Sequence, residues 1–69
     1  MIFTNKATGE VRKIFKQGNA IIILQLDQQV EDGWETLSIN EHASELTAQA
    51  FLKYLLLWHK DKGYERVDS

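Results

Sequence analysis

Sixty-nine residues make one domain with one core, and a chain this short buries only about 60% of its unfolded surface, so its stability needs a supplement. The sequence holds no cysteine, which excludes a disulfide framework and any thiolate metal site and leaves oligomerisation as the expected supplement. Hydrophobic residues at 43%, charged residues at 26% and a net charge of −2 exclude a disordered tail and supply no bulk positive charge to attract nucleic acid.

The first expected element is a short strand, Ile2–Asn5, ending at the turn Ala7-Thr8-Gly9-Glu10. Val11 to Gln17 reads as a second strand, closed by Gly18-Asn19, two residues that suit a tight hairpin. A third strand is expected from Ala20 to Val30, opening on three isoleucines that favour a pleated surface. Asp32-Gly33 signals a second two-residue hairpin, pairing Glu31 with Trp34, and the fourth strand runs from Trp34 to Ile39. A helix follows, capped by Asn40 or Ser44, with Glu41 and Glu45 at its positive end and Lys60 and Lys62 at its negative end. Gly63 suits its C-terminal cap. Tyr64–Val67 is expected to add a short final strand or to fold back along the sheet. The fold class is therefore α+β: a four-stranded antiparallel meander followed by one C-terminal helix packed on one sheet face.

Alternation along the strands divides the residues between two faces. One collects Val11, Phe15, Ile22, Leu24, Leu26, Val30, Leu37 and Ile39, and is the expected core face beneath the helix. The other collects Arg12, Ile14, Lys16, Ile21, Ile23, Gln25, Asp27, Trp34, Thr36 and Ser38, with Ile14, Ile21, Ile23 and Trp34 forming an apolar patch. On the helix, Phe51, Tyr54, Leu55 and Trp58 span an arc of about 100°, the usual width of a core-facing stripe. Leu52, Leu56 and Leu57 fall outside that arc, so they are the residues expected to carry self-association.

Charge is unevenly spread. Lys6, Arg12, Lys13 and Lys16 dominate residues 1–26, whereas residues 27–52 carry Asp27, Glu31, Asp32, Glu35, Glu41 and Glu45 without one lysine or arginine. Such asymmetry steers partners. Asp27, Glu31, Asp32, Trp34 and Glu35 are the expected contact for a basic protein, Trp34 because tryptophan is enriched among binding hot spots. Lys6, Arg12, Lys13 and Lys16 offer an alternative, a basic strand holding nucleic acid beside Phe3 and Phe15. Against it, alternation sends Phe15 to the face opposite Arg12 and Lys16.

Reactive groups are few. His42 and Glu45 lie three apart, a spacing that puts two ligands on one helical face, but His59 is too distant to complete a metal site. Ser38 and Ser44 lie near His42 without the turn or the orienting group a nucleophile needs. The Glu31-Asp32 pair sits at a hairpin tip, where solvent keeps both ionised. No glycine-rich run cradles a phosphate. We therefore expect no catalysis, no metal and no cofactor. The longest apolar run, Tyr54 to Trp58, is too short to span a membrane, Met1-Ile2-Phe3 opens no secretory leader, and a cytoplasmic location is expected. The expected function is a non-enzymatic, homodimeric protein-binding module that modulates or inhibits a larger partner, in the style of bacterial or phage accessory proteins acting on nucleic-acid-binding systems.

Overall fold

A computed structural model describes residues 1–27, 29 and 31–68. It contains β1 (Ile2–Asn5), β2 (Val11–Gln17), β3 (Ala20–Leu26) and β4 (Trp34–Glu41), then α1 (Glu45–Asp61) and β5 (Tyr64–Arg66). The meander and its C-terminal helix are as expected, and the last segment takes the strand option. At the β2–β3 turn Gln17 pairs with Ala20, and Gly18 adopts φ +61, the left-handed conformation that the first position of a two-residue hairpin requires. Ser44 is the helix cap: its Oγ accepts a hydrogen bond from the Thr47 amide at 3.2 Å, satisfying an amide that has no partner within the helix.

The second hairpin departs from expectation. β3 stops at Leu26, which pairs with Trp34, so the connection spans residues 27–33 instead of two residues. The Asp27 amide closes its base on the Gly33 carbonyl at 2.7 Å. Asp27 and Asp32 accept from the amides of Gln29 and Trp34 at 2.9 and 3.0 Å. Short carboxylates that satisfy loop amides this way stabilise a longer connection, which is why Asp32-Gly33 does not act as a tight turn. Val30, expected to extend β3 and its apolar face, lies outside the described residues.

The strands form one sheet in the order β4-β3-β2-β1-β5. Each neighbouring pair is antiparallel, so β4 and β5 run parallel at opposite edges and α1 is the crossover between them. A crossover helix lands on the face its handedness dictates, right-handed in about 98% of cases, and not on the face with more apolar residues. That distinction overturns the expected core. The helix packs on β3, β2 and β5, and the buried cluster is Phe3, Ile14, Ile21 and Ile23 under Ala48, Leu52 and Leu55, with Tyr64 beside them. The face carrying Val11, Phe15, Ile22, Leu24 and Leu26 is the uncovered one. Alternation sorts β2 and β3 correctly but does not say which set the helix covers, and Phe3 and Tyr64, from the outer strands, add weight to the buried set.

Two further corrections follow. A β-bulge lies in the β3–β4 pairing, where Ile23 faces Ser38 but Leu24 faces Thr36. Leu37 is the extra residue, and it reverses the alternation that precedes it. Trp34 and Thr36 therefore share the uncovered face with Leu26 and Leu24, and Leu37 lines a groove beside the helix. On α1 the buried residues are Ala48, Leu52, Leu55 and His59, a stripe turned by about 80° from the expected arc at 100° per residue. Leu52 is core, and Tyr54 and Trp58 are exposed. Small Ala48 lets the helix approach the sheet, and polar His59 is accepted because it has partners there. No helix among the described residues is long and apolar enough to cross a membrane.

Candidate interaction surface

Pairing across the strands maps the uncovered face row by row. Trp34 and Leu26 stand opposite each other at one end. The next row runs Thr36, Leu24, Lys13, Ile2, and the third runs Ile39, Ile22, Phe15. Thr4 pairs with Val11 and Glu65 along the β1 side. The apolar field is thus continuous from β4 to β1, with Ile39 60% and Leu26 43% exposed. Ile2, Phe15, Ile22, Leu24 and Trp34 are half-buried. One charge lies within it, and the Lys13 ammonium leans 5.7 Å from the centre of the Trp34 ring.

The acidic residues border this field at the Trp34 end. Glu31, Asp32 and Glu35 are exposed and Asp27 is half-buried, all on or beside the loop that leads into β4. Sequence reasoning placed these four carboxylates with Trp34, and the structure brings all five residues to one end of the sheet, with Glu35, paired with Gln25, on the helix side.

The basic residues do not share a surface. Arg12 and Lys16 point to the helix side and Lys13 to the open side. Lys6 and Lys16 approach Glu65 and Glu45, each at 3.7 Å. The three leucines expected to act together are also separated: Leu52 is in the core, Leu56 packs half-buried against it, and Leu57 is 62% exposed.

Beneath the helix lies a polar network that sequence reasoning missed. Arg12 reaches under α1 from β2. Its Nε donates to Gln25 Oε1 at 3.1 Å and its Nη1 to His59 Nε2 at 3.1 Å. Its guanidinium lies 4.9 Å from the Tyr64 ring centre, and Nη2 stands 3.5 Å from Glu10 Oε2. The Tyr64 hydroxyl donates to Glu10 Oε1 at 3.1 Å. Because a guanidinium only donates, His59 Nε2 is the acceptor, and Nδ1 carries the proton that it gives to the Leu55 carbonyl at 2.8 Å. Burial pushes the His59 imidazole below its ordinary range; the Leu55 carbonyl opposes this shift and the Arg12 charge adds to it. Burial likewise raises the Tyr64 phenol. Hydrogen bonding, led by Thr8, holds the Glu10 carboxyl low against partial burial. A signal did exist: alternation puts Arg12 on the same face as Ile14 and Ile21, where a buried guanidinium requires partners.

With both ring nitrogens engaged, His59 offers no lone pair to a substrate proton, so the network braces the fold. His42 precedes the helix, which begins at Glu45 after the Ser44 cap, so its three-residue spacing from Glu45 does not place the two on one helical face; its half-buried ring lies 4.8 Å from that of Phe51. Among the described residues no group of three histidine or acidic side chains is placed to hold a metal ion. A groove of about 370 Å³ between α1 and β4 is lined by Leu37, Ser38, Tyr54 and Trp58, with Arg12 and His59. Comparison with family models, curated proteins and solved structures returned no match, so the functional reading rests on the geometry of the chain itself.

Proposed function

We propose that this chain is a non-enzymatic protein-binding module whose working surface is the open sheet face, bordered by the acidic β3–β4 loop. The observation that carries the reading is the bare apolar field running from Ile39 and Leu26 across to Phe15 and Ile2. A monomer rarely leaves contiguous apolar area of this kind to water, and where it does the area is usually an interface. Trp34 lies between that field and the carboxylates, the arrangement of an aromatic anchor beside a polar rim. Such a surface suits a partner with an apolar contact and a basic edge, and a module that occupies it blocks whatever the partner would otherwise bind there.

A photoreactive benzoylphenylalanine at position 39 tests this. It is expected to form protein adducts that the same group at Lys53, on the outer side of the helix, does not form. Reversing the charge of Glu31, Asp32 and Glu35 is expected to weaken any adduct with a foreign partner and to flatten its salt dependence while the fold stays intact. Equal adduct formation at positions 39 and 53 would contradict the reading.

One observation favours direct nucleic-acid binding as a second reading. Lys13, Phe15 and Trp34 share the open face, and bases stack on aromatic side chains beside cations. The aliphatic majority of that face and its acidic border weigh against it, and Lys6, Arg12 and Lys16 do not add to it. Quenching of Trp34 by a labelled oligonucleotide, lost steeply with salt, would support this reading over the first.

A further inference from the structure

Resting on that reading, we propose that the occupant of the open sheet face is a second copy of this chain, packed sheet to sheet across a twofold axis.

Area is the first argument. Strands about 4.8 Å apart, rising about 3.4 Å per residue and three to eight residues long, make a face on the order of 470 Å² before side-chain relief is counted. Stable interfaces bury about 600–1,000 Å² per partner, and with side-chain relief added this face meets its copy near the lower end of that range. The molecule measures 33 × 28 × 19 Å: it is a slab, and two of its layers account for the thin dimension. A second slab turns a one-sided core into a four-layer helix–sheet–sheet–helix stack.

Shape and charge agree. Two sheets with the same twist pack face to face about 10 Å apart with their strands about 30° from alignment, whereas a foreign surface has to be shaped to this one. A twofold interface needs a self-compatible patch; Phe15, Ile22 and Leu24 supply an apolar one. Lys13, on the central strand beside Leu24, is its one cation, and its ammonium is held over the Trp34 ring, 5.7 Å from the ring centre. The acidic loops decide the orientation: Asp27, Glu31 and Asp32 repel their own copies, so the two sheets run antiparallel and the loops fall at opposite ends of the stack. Both helices then face outward, which leaves Tyr54, Leu57 and Trp58 outside the interface.

Sedimentation equilibrium on the full chain at tens of micromolar tests this. Wild type is expected at twice the 8.0 kDa chain mass. Ile39→Lys and Leu26→Lys, at positions already partly exposed, are expected to raise the dissociation constant about tenfold or more while circular dichroism stays unchanged. Leu57→Lys is expected to leave the dimer intact. A dimer lost with Leu57→Lys and kept with Ile39→Lys would overturn the proposal. So would a wild-type mass of one chain. In that case anilinonaphthalene sulfonate separates two failures. Dye bound by wild type and lost in Ile39→Lys means the face is open for a foreign protein and only the second copy is wrong. No dye bound means the docking reading falls as well. A single-chain mass with Trp34 quenched by an oligothymidine probe also overturns it, in favour of nucleic acid.

Discussion

At the scale of single residues, the informative pair is Arg12 and His59, one on β2 and one on the last turn of α1. Each alone is a poor core residue. Together, with Gln25, Glu10 and Tyr64, they leave few buried polar atoms without partners, and a buried polar group with partners is far cheaper than one without. The groups facing His59 are Arg12 from β2, Tyr64 from β5, and the rings of Phe3 and Trp58. Because its folded pKa lies below the ordinary value of about 6.5, the unfolded chain binds the extra proton first as pH falls. The stability from neutral His59 is therefore complete above that value and lost progressively below it. Thermal midpoints measured between pH 7.5 and 5 are expected to fall, and His59→Gln is expected to be less stable at pH 7.5 with a flatter profile. A wild-type midpoint unchanged across this range would contradict the tautomer assigned here. Tyr64 acts at the other extreme. With its phenol raised, the folded state holds the proton more tightly, and stability is lost only as pH rises above about 10.

Among the elements, the strands and helix were readable from the sequence because local chemistry decides them. Gly18-Asn19 closes a tight hairpin, Ser44 caps α1, and alternation sorts β2 and β3 into two sets. What local chemistry does not decide is the relation between elements. The Leu37 bulge leaves no mark in the residue pattern, yet it moves Trp34 and Thr36 to the opposite face. The β3–β4 connection lengthens because Asp27 and Asp32 satisfy loop amides, a role that the pair Asp32-Gly33 hides behind its hairpin signal. On α1, the large aromatics drew the expected stripe toward Tyr54 and Trp58, whereas Ala48 and Leu52 face the sheet. Truncation separates the two versions. Leu52→Ala is expected to destabilise by about 2–5 kcal/mol, as core leucine truncations do. Leu57→Ala is expected to change stability by less than about 0.5 kcal/mol, as an exposed position should. Denaturant titration of both variants would contradict the assigned stripe if the order were reversed.

For the whole molecule, the same physics explains why the proposed binding surface was legible in its parts and misread as a unit. The sequence marks Phe15, Ile22, Leu24, Leu26 and Ile39 as the expected core face beneath the helix, and within the chain they are left uncovered. It does not say whether the chain's own helix or another molecule covers them. The helix covers Ile14, Ile21 and Ile23 and leaves the more apolar set bare. The domain is also small: among the described residues the core holds eight buried apolar side chains, and burying one further leucine-sized side chain contributes roughly 1.5–3 kcal/mol. In the proposed pairing the acidic loop at the edge of the sheet would stay exposed.

The claim at the centre of this account is that the open sheet face is covered by its own copy. Isotope-filtered NMR on an equal mixture of labelled and unlabelled chains reads that contact directly. Intermolecular nuclear Overhauser effects are expected from the methyl groups of Ile22, Leu24 and Ile39 to the same face of the other copy. None is expected from Leu46 or Leu57 on the outer side of the helix. Intermolecular effects confined to Leu46 and Leu57, or none from any methyl at concentrations where the chain is fully associated, would contradict it.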